Sequence, residues 1–151
     1  MMKMKAFVVC LLVLALVFLC FFYPKAKDFK EIIQVPINKL TDDLLFECQP
    51  IIISDNIVSL DQVINVCFAW GMYTSKHTPQ IKCTKYAIKN KYKYLLCHNN
   101  NKESNNIILN NVEIILKPGN IIIIPFGLYY KCKNKMLKLI GLHNLSTFIT
   151  L

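Results

Sequence analysis

With 151 residues, 54% apolar and 18% charged, the chain is long enough for one domain plus an appendage, and too apolar to be disordered. All 18 basic residues are lysine, which excludes any role built on the bidentate fork of arginine. The formal charge is +9, but four of those lysines (Lys3, Lys5, Lys25 and Lys27) flank one apolar run; from Asp28 onward 14 lysines meet nine acids, a mild excess compatible with phosphates or lipid headgroups.

The first predicted element is AFVVCLLVLALVFLCFFY, from Ala6 to Tyr23, with 18 residues and no charge. As a helix it spans about 27 Å, the thickness of a bilayer core. Lysines bracket it, and Phe21, Phe22 and Tyr23 form an aromatic edge of the interfacial kind. A cleaved signal peptide has a shorter apolar core and small residues before the cut; here the run ends Phe-Phe-Tyr-Pro, with Ala26 the one small residue nearby. The reading is an uncleaved, single-pass anchor, with Cys10 and Cys20 as packing residues inside it. Residues 25–38 read as linker and lead-in, broken by Pro24 and Pro36.

Residues 40–47 predict a short helix capped by Thr41. PIIISD, residues 50–55, is an apolar run closed by turn formers and reads as a buried strand. In SLDQVINVCFAW, Ser59 and Gln62 form a capping-box pattern, and Leu60, Val63, Ile64 and Cys67 share one helical face. Trp70 reads as a core residue. In KCTKYAIKNKYKYLLC, residues 82–97, the second half alternates; the spacing predicts a strand with Lys89, Lys91 and Lys93 on one face and Tyr92 and Tyr94 on the other. NNNKESNN, residues 99–106, reads as a polar loop tip. IILN and VEIIL flank an Asn110-Asn111 turn, and Lys117-Pro118-Gly119-Asn120 suits a type II turn. IIIIP, LYYKC, MLKLIGL and STFITL complete a series of short strands at roughly ten-residue spacing, the mark of a sandwich or barrel. IIIIP lacks alternation and reads as buried on both faces.

Five cysteines fall in this region (Cys48, Cys67, Cys83, Cys97 and Cys132), none spaced as Cys-x-x-Cys, which argues against a zinc site. Being odd in number, they cannot all pair internally, and free buried thiols are the plain reading. There is no Ser/His/Asp order, and four glycines are too few for a phosphate-binding loop. Asn144-Leu145-Ser146 is a glycosylation sequon that matters only in a luminal domain.

VEIILKPGNIIIIPFGLYY resembles the late strand pair of the Jumonji-type, cupin-like double-stranded β-helix: an apolar strand, Pro-Gly-(Asp/Asn), an apolar strand, Pro, a small turn, then aromatics and a metal-binding His. Pro118, Gly119, Asn120, Pro125, Gly127 and Tyr129 match that pattern. PIIISDNI resembles the lead strand of the same family. The resemblance covers residues 48–151 and is specific in their last third. It implies a source among large DNA viruses of eukaryotes, which carry small proteins of this appearance, some with an N-terminal anchor. The Lys, Asn and Ile bias of an AT-rich genome agrees.

The family's chemistry needs two His and one carboxylate around Fe(II), the first two as His-x-Asp or His-x-Glu. His77 is followed by Thr78 and Pro79. His98 is followed by Asn99 and Asn100, the latter an amide where a carboxylate belongs. His143 lies out of register, and the second His position holds Tyr130. The implied site is degenerate at every position, so no metal, cofactor or small-molecule substrate is expected. The expected fold is mainly β: a cupin-like double-stranded β-helix (39–151) with one or two short N-terminal helices, a linker (25–38) and a transmembrane anchor (1–24). The expected function is a non-catalytic, membrane-anchored structural protein, a minor virion component linking an internal membrane to a capsid or other virion protein. Its localisation is then the virion or an internal host membrane. Lys89, Lys91 and Lys93, with the Asn-rich loop, are the candidate docking surface. Two alternatives stand beside this: an Fe(II)/2-oxoglutarate oxygenase with a non-standard site, and a module binding an anionic ligand through the lysine strand. Nucleic acid is not the expected ligand, because the alternation separates the tyrosines from the lysines.

Overall fold

The uncharged N-terminal run forms one helix, α1 (Met2–Phe22), whose side chains from residue 2 to 19 are exposed along its whole length, Cys10 among them. A helix this apolar is long enough to cross a membrane, and its span Met2–Leu19 is not buried by the rest of the chain. The computed structural model describes residues 1–22, 29–55, 57–67, 72–73, 84–133 and 137–144; the expectations for Trp70, His77, Cys83, the linker residues 25–28, the strand STFITL and the Leu145-Ser146 half of the sequon lie outside them.

The lead-in is more than a linker. It holds β1 (Ile33–Val35), which pairs in parallel with β2 (Ile51–Ile53), and a 3₁₀ turn (Ile37–Lys39) whose first N–H donates to Asp55 Oδ2 at 2.6 Å. Between the two strands lies α2 (Asp42–Phe46), where Thr41 Oγ1 accepts from Leu44 N at 3.4 Å. Asp42 and Asp43 sit in its first turn, where the helix dipole favours acids. After β2 comes α3 (Leu60–Cys67). Its capping box closes in both directions: Gln62 N donates to Ser59 Oγ at 3.3 Å, and Ser59 N donates to Gln62 Oε1 at 3.0 Å. Leu60, Val63 and Cys67 are buried, as their spacing predicts.

Eight further strands follow: β3 (Met72–Tyr73), β4 (Ile88–Lys89), β5 (Tyr94–His98), β6 (Asn105–Leu109), β7 (Val112–Leu116), β8 (Ile121–Pro125), β9 (Tyr129–Cys132) and β10 (Lys138–Asn144). They divide between two sheets, a six-stranded one ordered β1-β2-β8-β5-β10-β3 and a four-stranded one ordered β4-β9-β6-β7. The pairing is nested and antiparallel: β3 with β10, β4 with β9, β5 with β8 and β6 with β7, successive pairs falling in alternate sheets. With α1, α2 and α3 beside these strands the chain as a whole is mixed rather than mainly β; strand dominates only beyond α3.

One core lies between the sheets. It takes Leu95 and Cys97 of β5, Ile122 and Ile124 of β8, and Ile107, Leu116 and Tyr130 from the facing sheet. A second lies between the six-stranded sheet and the helices, built from Tyr94 and Leu96, Ile121 and Ile123, and Leu45, Val63 and Cys67. β5 and β8 thus bury both faces, which accounts for the unbroken IIIIP run. The turns follow their chemistry. Asn110 and Asn111, at φ 44° and 69°, close the two-residue β6–β7 hairpin, and Gly119, at φ 82°, takes the type II position with Asn120 N donating to Lys117 O.

The basic strand expected from the alternation over residues 82–97 does not form. The chain changes sheets in the middle of it: Lys89 ends β4, Tyr94 begins β5 in the other sheet, and Lys91 and Lys93 lie in the crossover. The cause is Asn90, almost wholly buried. Its main chain exchanges bonds with Leu128 O and Gly127 N, its Nδ2 donates to the carbonyls of Ile124 and Pro125, both at 2.9 Å, and its Oδ1 accepts from Tyr92 N. The alternation sets Asn90 on the face of Tyr92 and Tyr94, opposite the lysines, and the turn after β8 supplies its polar groups with partners there.

Candidate functional site

Tyr130, at the position where the resemblance puts a metal ligand, points into the core between the sheets and is 3% exposed. Its cross-strand neighbours are Ile88 on β4 and Leu109 on β6, neither of which carries a ligating atom. His98 and Asn100 lie elsewhere. His98 ends β5 opposite Ile121 and Lys138, beside Asn99, whose Oδ1 accepts from Asn105 Nδ2 at 2.8 Å. Asn105 is four residues from Leu109 along β6, so this end of the molecule is about 13 Å from Tyr130. His143 is on β10, buried, with its ring 4.4 Å from that of Tyr92. Burial lowers the pKa of both histidines, joined at His98 by the charge of Lys138. Among the described residues no three His, Cys, Asp or Glu side chains come together.

The fold-motif residues serve the backbone. Pro118 and Gly119 turn the chain between β7 and β8, and the Pro125 carbonyl and Gly127 N–H both bind Asn90. Asn120 O accepts from Asn99 N, while its own Oδ1 is buried with no donor. Tyr129 N donates to Asn110 Oδ1 at 2.8 Å, which fixes the start of β9 against the β6–β7 turn.

The Asn-rich segment is anchored at both ends, with Asn100 and residues 102–104 exposed between them. Asn99 is 0% exposed, and its Nδ2 donates to Leu116 O at 2.8 Å and Glu103 O at 2.9 Å. Asn105 is buried in β6, and Asn106 continues that strand. Asn90 and Asn99 therefore stand at the two ends of β5, each binding the glycine turn at one end of β8. Composition alone marked one as part of a basic strand and the other as solvent-facing loop.

What remains exposed and chemically distinctive is the outer face of the four-stranded sheet. With Tyr130 and Cys132 turned inward, the alternation turns Tyr129 and Lys131 outward, Tyr129 being 50% exposed. Lys89 is in register with Tyr129, and Ile108 with Lys131. Thus Lys89 shares its face with a tyrosine and with Lys131, while Lys93 sits apart, its ammonium 5.7 Å from the centre of the Tyr94 ring. Ala87, Ile108, Asn110, Asn111, Tyr129 and Lys131 line a shallow depression of about 350 Å³ on this face. Glu113, the one acid there among the described residues, binds Lys133 Nζ and Asn106 Nδ2, both at 2.6 Å, and these bonds hold its carboxyl below the usual range. Sequence alternation could have found this face only once the β4–β9 pairing was known. No family model matches the chain, and neither a curated protein nor a solved structure matches it.

Proposed function

We propose that this is a non-catalytic, membrane-tethered scaffold protein, in which a single-pass helix holds a cupin-like double-stranded β-helix close to a bilayer and the domain joins that bilayer to a protein layer. The nested order β3 to β10, β4 to β9, β5 to β8 and β6 to β7, split between two sheets, supports the double-stranded β-helix. The observation that carries the non-catalytic reading is the register around Tyr130. An iron site needs its ligands converging on one face; the strand neighbours of Tyr130 are Ile88 and Leu109, and His98 and Asn100 belong to the far end of the sheets. A phenol at neutral pH is a poor ligand for Fe(II) on its own.

The tether reading rests on α1 and on the short path after it. From Phe22 to Ile33 the chain reaches about 40 Å at full extension, so the domain stays near the surface it is anchored to. In a large DNA virus, the source implied by the resemblance, the layer joined to the membrane is the protein shell of the virion. The test is iron content. The full chain, purified anaerobically in detergent, is given Fe(II) with and without 2-oxoglutarate. No stoichiometric iron is expected; one iron per chain with turnover of 2-oxoglutarate would overturn the proposal.

A further inference from the structure

We propose that the outer face of the four-stranded sheet rests on the anionic phospholipid headgroups of the membrane that holds α1. The proposal depends on the anchor reading and not on the fold family. Its first ground is charge. Residues 29–67, which build the helical layer, carry two lysines against six acids, whereas among the described residues the outer face of the smaller sheet carries Lys89, Lys131 and Lys133 against Glu113. A domain so divided is drawn to an anionic surface by one side and repelled by the other.

The second ground is what lies on that face. Lys89 and Lys131 flank Tyr129, and Ile115, 63% exposed, stands outward on β7. Glu113 is already matched by Lys133, and among the described residues no other acid stands on this face beside Lys89 and Lys131. Tyrosine and lysine both suit a headgroup layer, with the ring or alkyl stem in the apolar margin and the polar tip in water. The depression on this face combines apolar lining at Ala87 and Ile108 with the ammonium of Lys131 and the amides of Asn110 and Asn111, groups that can hold a phosphate headgroup. The third ground is reach. The tether keeps a bilayer within about 40 Å of β1, so lipid outcompetes a soluble polyanion of equal intrinsic affinity.

The experiment is lysine acylation of the full chain, read residue by residue by mass spectrometry. The chain is held in nanodiscs of phosphatidylcholine, or of phosphatidylcholine with one third phosphatidylserine. On the anionic discs Lys89 and Lys131 are expected to react at least about fivefold more slowly than on neutral discs. Lys39, exposed at the end of the 3₁₀ turn, keeps its rate. Salt at about 0.5 M restores the rates of Lys89 and Lys131. In the full-chain variant K89E/K131E, Lys85, exposed next to Thr84, whose carbonyl accepts from Cys132 N at the end of β9, is expected to react equally on both discs. Three results overturn the proposal: equal rates on both lipids; protection that rises with protein-to-lipid ratio on neutral discs, which marks a second copy; and protection given only by added single-stranded RNA. An alkaline wash of reconstituted vesicles separates the two readings. A chain that washes off fails the anchor; a chain that stays but shows no protection fails this proposal alone.

Discussion

Replacing Asn99 with alanine should destabilise the domain more than any other single truncation of a polar side chain in the segment of residues 99–106. The side chain is 0% exposed and makes five hydrogen bonds: Nδ2 donates to Leu116 O and Glu103 O, and Oδ1 accepts from Asn105 Nδ2, Asn101 N and Asn101 Nδ2. The bonds to Leu116 and from Asn105 lie wholly inside, where water does not replace them. Losing each costs about 1–2 kcal/mol; the bonds nearer the surface add little because solvent takes over. The expected loss is about 3 kcal/mol, which in a domain of this size lowers the melting temperature by about 10 °C. Asn99→Asp should be no better at neutral pH, since a carboxylate cannot donate to the two carbonyls. Asn100→Ala, at an exposed position, should stay within about 0.5 kcal/mol of the parent. The assay is thermal unfolding of the full chain in detergent, followed by near-ultraviolet circular dichroism. An Asn99→Ala variant within about 0.5 kcal/mol of the parent would refute this role for the Asn99 side chain.

Gly141 gives up its side chain to the Tyr92 ring: an added Cβ overlaps ring atoms Cδ1, Cε1 and Cγ. Gly141→Ala is expected to cost about 1–3 kcal/mol, and in a double-mutant cycle with Tyr92→Ala most of that cost should vanish; additive losses would contradict the contact. Because burial lowers the pKa of His143 and His98 below the ordinary 6.5, the unfolded chain takes up protons first on acidification. Stability is therefore full above pH 6.5 and falls as pH drops below it; the melting temperature should decline as the pH is lowered through and below 6.5, and His143→Gln should flatten the slope, an unchanged slope counting against it. The Cys67 thiol is pushed up to about 12 by burial and by Asp42, so in the folded chain at pH 8 a thiol reagent should label the half-buried Cys48 well before Cys67; equal rates would show that α3 opens readily.

Local chemistry was legible wherever neighbouring residues decide it. Thr41 and the Ser59–Gln62 pair cap their helices, Asn110-Asn111 and Pro118-Gly119 turn the chain, and IIIIP is buried on both faces, because each depends on adjacent side chains or on its own lack of polar residues. The crossover at Asn90 was not legible. KNKYKY alternates as a strand does, and only the carbonyls of Ile124 and Pro125, more than thirty residues away, draw the asparagine inside and redirect the chain. The same holds for Asn99, whose main partners outside its own loop are on β6 and β7. The grouping of the lysines was not legible for the same reason. Lys89 belongs with Tyr129 and Lys131 through the β4–β9 pairing, and the lysines two and four residues further on do not share that sheet. The β1–β2 pairing, parallel and joined through α2, left no mark that alternation or turn residues reveal.

The central claim is that α1 is a retained anchor carrying the β domain, and the most direct measurement is the mass of the chain that resists alkaline carbonate extraction from the membranes of expressing cells. The account predicts an intact chain of 17.5 kDa in the membrane pellet. A shorter chain in the supernatant, with α1 removed, would contradict it, and the domain would then have to act without a bilayer beside it.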